Sequence, residues 1–433
     1  MKRKNILFFF TDQQRYDTFN PELMPELTAL SEDGVTFDNT FTCQPVCGPA
    51  RACLQSGQYA SEIGCYKNGI SLPLDTKPLA EYMNEAGYDT AYIGKWHLAS
   101  DFKFNCEKTA IPKERLGGYK YFRGADVLEF TSHGYDGYIF DEDGNKIDFK
   151  GYRADCITDF ALEYIDKHEG DKPFFMFLSH IEPHHQNDRH CYEGFKETVS
   201  NYKDYPIPED LKFLKGDYKK SYPDYLSAIN RLDYNLGRLV SKLKEKNLFE
   251  ETIIIFTSDH GCHFRTRNLE YKRSCHDSAI HIPLVISGGD FRGGKKDSRL
   301  VSLLDLPTTI LDVADVPIPE SYRGLSLAED NKRDSVYIEI SESQCGRAIR
   351  TDRYTYSVSA LTPVSGMTKK SAKIYFEDYL YDNEKDPYQK KNLVKDIQHK
   401  GVREELKKML IKEMKKAGEK DFRILPAIKT KRV

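Results

Sequence analysis

The sequence predicts an α/β protein, a mostly parallel central sheet sandwiched by helices, followed by a smaller C-terminal α+β domain. Three observations predict it. The apolar runs 6–11 (ILFFFT), 173–178 (PFFMFL) and 252–257 (TIIIFT) show no alternation, as expected of strands covered on both faces. Segments of helical period fall between them, over about 330 residues, which is the pattern of a doubly wound sheet. Near residue 335 the pattern changes to short runs suited to antiparallel strands.

In chain order, 6–11 reads as a central strand ending in Asp12. A short helix at 28–34 stops at Gly34, and 35–37 is a strand. Residues 78–86 form a helix that Gly87 ends, followed by a strand at 90–93. A helix at 154–168 leads to the strand 173–178, and a long helix at 227–246 to the strand 252–257. A further strand spans 281–287, and a helix at 303–314 opens near Pro307. Segments 99–150 and 183–225 are rich in polar and aromatic residues with weak periodicity. They read as long loops over one end of the sheet, a length that implies service to a site. Beyond the boundary, strands are expected at 336–340, 347–351, 354–358 and 373–376, and an amphipathic helix at 402–417. The domains are therefore 1–334 and 335–433.

A chain of 433 residues with 39 % apolar and 30 % charged side chains buries a sizeable core and is not disordered. Its net charge of -3 gives no reason to expect a nucleic-acid partner. The apolar run near the N-terminus is too short for a secretion signal and lacks a small-residue cleavage site. No stretch approaches the roughly 20 apolar residues of a membrane span. A cytoplasmic location, away from membranes, is the expectation. The ten cysteines are scattered and no pair has CxxC spacing, so a structural zinc or iron–sulfur site has little support.

Ligands of open α/β sheets bind beyond the carboxyl ends of the strands. There the chain places Asp12 and Gln13 after ILFFFT, His180 after PFFMFLS, and Asp259 and His260 after IIIFTS. Two acids at such ends supply hard oxygen ligands for calcium or magnesium. The segment Cys47-Gly48-Pro49-Ala50-Arg51 suits a turn into a helix, with Pro49 in its first turn. Cys47 would sit by the free N–H groups of the helix start, where an anion is stabilised. Arg51, one turn on, can reach back as a fixed cation, and an unmodified Cys47 could be a thiolate nucleophile.

Cys47-x-Pro49-x-Arg51, running on to Ser56-Gly57, resembles the formylglycine signature of the sulfatases in the alkaline phosphatase superfamily. Cys43-Gln44-Pro45 begins similarly but has Cys47 at the arginine position, so Cys47 is the residue for conversion and Cys43 is structural. The resemblance implies oxidation of Cys47 to formylglycine (3-oxoalanine) by a separate maturation enzyme. One hydroxyl of the hydrated aldehyde then attacks sulfur, and the other expels sulfate.

The rest of the chain resembles the family in order. "TDQQR" is similar to the first metal segment, with Gln13 where most members carry Asp. "FTSDHGCH" is similar to the second, with His260 where Asn is common. The implied ligands are Asp12, Gln13, Asp259, His260 and residue 47, with Ca2+ first and Mg2+ as the alternative. "IGKWHL" resembles the Gly-Lys-x-His segment. By resemblance Lys95 contacts the sulfate and His97 orients a formylglycine hydroxyl. Alternation on an extended segment lets both face one pocket. "SHIEPHHQND" resembles the Pro-His segment. His184 is expected to contact the sulfate and assist the leaving group, and His185, Gln186, Asn187 and Asp188 to read the substrate. "YKRSCHDSAIHIPLVI" places Lys272 where the family neutralises the leaving oxygen, with His276 and Asp277 at the usual Tyr-Glu positions. His276 is a further candidate substrate contact. "YLYDNEKDPYQKKNL" resembles a late family segment that packs the second domain on the first.

The implied function is hydrolysis of a sulfate ester of a small sulfated carbohydrate. The alternatives are an N-sulfoglucosamine-type sulfamidase and a phosphonate or phosphate monoester hydrolase of the same superfamily.

Overall fold

The computed structural model describes residues 3–428; residues 429–433, placed above in the second domain, lie outside the described residues. A mixed sheet dominates. Its strands are β1 (Asn5–Thr11), β2 (Val35–Phe41), β3 (Asp89–Lys95), β4 (Tyr121–Ala125), β5 (Ser132–His133), β6 (Asp136–Asp141), β7 (Lys146–Lys150), β8 (Phe174–Ser179), β9 (Thr252–Ser258), β10 (Leu284–Ser287) and β11 (Lys295–Ser302). The order is β11-β2-β10-β9-β1-β8-β3-β4-β6-β5, with β7 on β6.

β1 runs parallel to β8 and β9, and β3 runs parallel to β8 and β4. Thr11 pairs with Ser258, and Ser179 pairs with both Phe10 and Gly94, so the four central strands end flush. That alignment sets Asp12, Lys95 and Asp259 along one edge.

Period two explains why β1 has no polar face. Ile6, Phe8 and Phe10 join one apolar cluster, and Leu7 and Phe9 join another on the opposite face. Helices Cys47–Ser56, Leu79–Glu85 and Asp305–Val313 cover the first face. Helices Pro25–Asp33, Arg153–Lys167 and Tyr218–Glu245 cover the second.

Two expectations change. The segment 99–150 is not all loop: β4, β6 and β7 extend the sheet there, their apolar alternation diluted by Arg123, Asp141 and the three charged side chains of β7. The long helix starts at Tyr218, nine residues before 227, and runs through Pro223. Buried Tyr222, Tyr225 and Leu226 hold this first part against the core despite the lost proline N–H.

A second sheet of β12 (Val336–Ile340), β13 (Gly346–Arg350), β14 (Tyr354–Ser359), β15 (Ile374–Asp382) and β16 (Arg423–Leu425) follows. It is antiparallel except for β16, which pairs parallel to β15. Helix Lys400–Lys416 covers it with Leu406, Leu410 and Met414. The two sheets share one apolar cluster, where the rings of Tyr59 and Tyr337 meet edge to face at 5.0 Å. Among the described residues no helix is long and apolar enough to cross a membrane.

Candidate active site

The helix Cys47–Ser56 is buried along its whole length and ends at Gly57, whose φ of 68° is left-handed. Cys47 is its first residue, at the flush edge of the central strands. Its Sγ lies 3.3 Å from Asp12 Oδ1, 3.3 Å from His260 Nε2 and 2.7 Å from Lys272 Nζ. Burial and Asp12 push the Cys47 thiol up, yet Lys272, Lys95 and a hydrogen bond with His184 bring it down to about 6.

Asp12 is fully buried and gathers cations. Lys95 Nζ donates to its Oδ2 at 2.7 Å and Arg51 Nη2 at 3.1 Å. Burial opposes its ionisation, but Lys95, His184, Lys272 and Arg51 hold it well below the usual carboxylate range. Arg51 is fixed further by the carbonyl of Lys95 at 2.8 Å and by Ser179 Oγ at 2.6 Å.

Asp259 is less well compensated. Its Oδ1 accepts the backbone N–H of Gln13 at 2.9 Å and of His260 at 2.8 Å, while buried Oδ2 has no hydrogen-bond partner among the described residues. Burial and Asp12 push it up to about 7, against His260. Gln13 holds a left-handed φ of 73°. Its Nε2 donates to Tyr192 Oη and Cys262 Sγ, and its buried Oε1 is unpartnered. His260 Nδ1 meets the Gly261 carbonyl at 3.0 Å, so it carries the proton and Nε2 keeps its lone pair for the centre. Single ligating atoms of Asp12, Cys47, Asp259 and His260 all lie within 4.8 Å of one another. The carboxylates of Asp12 and Asp259, the amide oxygen of Gln13 and the imidazole lone pair of His260 form a donor set that fits a divalent cation.

A cavity of about 360 Å³ opens over Cys47. Lys95, His97, His184 and Lys272 line it. Lys272 Nζ lies 3.1 Å from His184 Nε2. Burial and then Lys272 lower His184 to about 3, and burial with Lys95 lowers His97 to about 4, so both imidazoles are neutral near pH 7. His97 does not extend β3 as the alternation suggested. β3 ends at Lys95, and His97 takes a left-handed φ of 61°, a turn rather than an extended register. Both side chains nonetheless reach the cavity.

The family model for sulfatases matches residues 4–316, well over half the sequence. The chain belongs to the sulfatase family. It is a sulfuric ester hydrolase. A second model, the C-terminal region of N-sulphoglucosamine sulphohydrolase, matches residues 268–416 of this sulfatase. An ulvan-active sulfatase of Formosa agariphila is 27 % identical over 450 residues, covering 96 % of this chain and 82 % of that protein. An N-acetylglucosamine-6-O-sulfatase of Bacteroides thetaiotaomicron is 26 % identical over 408 residues, covering 75 % and 70 %. A solved structure in complex with its substrate D-glucosamine-2-N,6-O-disulfate superposes with a TM-score of 0.78. At 21 % identity, over 97 % of this chain and 99 % of that one, it shows a shared fold.

Of the substrate-reading candidates in this sulfatase, Asn187 lines the cavity and the other four, His185, Gln186, Asp188 and His276, do not. His185 stacks on Tyr271 with ring centres 4.4 Å apart. Gln186 is buried, accepting from Arg153 and donating to the Glu129 carbonyl. His276 lies 3.1 Å from Tyr381 Oη and packs on Tyr379, so it faces the second sheet. Asp277 pairs with Arg350 of that sheet at 3.0 Å. His180 is also buried, against Phe9 and Thr158, away from the cavity. Asp188 sits outside, paired with His133.

Asn68, Glu129 and Arg273 reach the cavity without a motif to announce them. Asn68 Oδ1 accepts the Gly48 N–H at 2.9 Å and so steadies the turn at Cys47. Arg273 is held by Glu270 and Glu342. Glu129 interrupts the apolar run Val127-Leu128-Glu129-Phe130, a signal a sequence reading could have used.

Proposed function

We propose that this sulfatase hydrolyses a sulfate ester of a small carbohydrate, using a formylglycine formed from Cys47 and one divalent cation, calcium before magnesium. The supporting observation is the position of Cys47 Sγ, 2.7 Å from Lys272 Nζ, between Asp12 and His260 at a helix start. The relatives named for ulvan and for N-acetylglucosamine 6-sulfate support a sugar substrate.

In this reading Asp12, Gln13, Asp259, His260 and residue 47 hold the cation, which supplies positive charge and fixes the oxygens it binds. The hydrated aldehyde of residue 47 supplies a nucleophilic hydroxyl. Lys95 and Lys272 border the space above residue 47, where a tetrahedral anion takes their charge. Both stabilise negative charge growing on the transferred group, an effect of roughly 3–4 kcal/mol for one well-placed donor. Arg51 acts from beneath by fixing Asp12 and the Lys95 carbonyl. Neutral His97, its buried Nδ1 unpartnered, can take a proton from a hydroxyl on residue 47. His184 and Lys272 together protonate the leaving oxygen. Cys47 is only 1 % exposed, so its conversion by a maturation enzyme precedes folding.

A panel of sulfated sugars, N-sulfoglucosamine, an aryl sulfate and a phenyl phosphonate ester tests this reading. Preferred release of sulfate from an O-sulfated sugar is the expected result. Faster hydrolysis of the phosphonate, or of the N-sulfate, would replace it.

A further inference from the structure

Glu129 is a carboxylate that the reaction just described does not use. It sits on the short helix Leu128–Thr131 and is 7 % exposed in the wall of the cavity. Both its oxygens accept from Asn187 Nδ2, at 3.1 and 3.3 Å. Its ion-pair partner among the described residues is His184, with Oε2 3.3 Å from Nδ1. That approach is out of line for a full hydrogen bond, and buried Nδ1 has no other partner among the described residues. A contact of this kind tightens when substrate loads the site.

On the other side of the ring, Nε2 lies 3.1 Å from Lys272 Nζ. An ammonium has only protons to offer, so Nε2 accepts and Nδ1 carries the imidazole proton. The ring is thus spanned: carboxylate at Nδ1, ammonium at Nε2.

We propose that Glu129 is a positioning residue for leaving-group protonation, holding the His184 imidazole with Nδ1–H toward its carboxylate and Nε2 toward the cavity. The inference rests on the sulfatase reading of the site. As the S–O bond breaks, the sulfuryl group passes to the oxygen on residue 47. The electron pair of the broken bond stays on the sugar oxygen, which takes the proton that Lys272 and His184 share. The Glu129 charge stabilises the ring while that proton rests on Nε2, as a buried carboxylate does for the histidine of a Ser-His-Asp triad. Asn187 holds Glu129 in place, which accounts for its presence at the wall.

A proton donor matters for a poor leaving group such as a sugar alcohol and little for a good one such as nitrophenolate. The test compares wild type with Glu129→Gln and Glu129→Asp, in enzyme whose residue 47 is verified as converted. The substrates are a sulfated sugar and a series of aryl sulfates of rising leaving-group pKa. The expected result for E129Q is a kcat loss of about tenfold or more on the sugar and the least activated aryl sulfates. Turnover of 4-nitrophenyl sulfate and every KM should stay close to wild type, and E129D should recover part of the loss. An equal loss on all leaving groups, or none, overturns the proposal and leaves the sulfatase reading standing. A wild type that turns over no sulfate ester overturns both.

Discussion

Lys272 and Cys47 come from positions 225 residues apart, yet Nζ and Sγ meet at 2.7 Å. Lys272 also meets His184, so a single ammonium touches both residue 47 and that imidazole. Replacing Lys272 with Met should therefore cut kcat by about 100- to 1,000-fold, the effect of one lost electrostatic donor. Steady-state kinetics on a good substrate checks this, with the melting temperature as a control for folding.

Asp259 Oδ2 is a buried carboxylate oxygen with no hydrogen-bond partner among the described residues. Asp259→Asn keeps the shape and removes the charge. Divalent-cation affinity should fall about tenfold or more, since affinity follows ligand charge. Elemental analysis after dialysis against graded chelator measures it, and unchanged metal content would remove Asp259 from the site.

The same carboxylate predicts a pH dependence. Burial and Asp12 raise Asp259 from 3.8 to about 7, so the metal-free folded chain holds its proton more tightly than the unfolded chain. The folded state binds more protons across that window, and this group's contribution to stability falls as pH rises through it. A cation bound at Oδ2 would remove the penalty. The gain in melting temperature on adding calcium or magnesium should be larger at pH 8 than at pH 5; equal gains would contradict it.

His276 meets Tyr381 and not the cavity. His276→Phe should leave KM for substrate unchanged and cost about 1–3 kcal/mol of stability from the lost buried hydrogen bond. Denaturant unfolding alongside kinetics separates the two effects. A large rise in KM with unchanged stability would restore His276 to the substrate site.

The contrast between His276 and Lys272 shows what a sequence can and cannot carry. Unbroken apolar runs made β1, β8 and β9 legible, because only a strand buried on both faces needs no polar side. Strand order then places Asp12 and Asp259 together, and the spacing from Cys47 to Arg51 is one helical turn. Four residues beyond Lys272, no pattern says whether a histidine turns to a cavity or to a neighbouring sheet. β7 was hidden because Lys146, Asp148 and Lys150 sit on a two-sided edge ribbon with little core to announce it. Glu129 shows only as a charge inside an apolar run; its role is not legible because its partner His184 lies 55 residues away, in the loop after β8.

The chemistry turns on what residue 47 is. Peptide mass spectrometry of the protein from its natural host, focused on the peptide holding Cys47, measures this directly. A mass roughly 18 Da below the cysteine form, with an aldehyde trapped by a hydrazine, is the expected result. Full sulfatase activity from protein whose Cys47 is an unmodified thiol would contradict it.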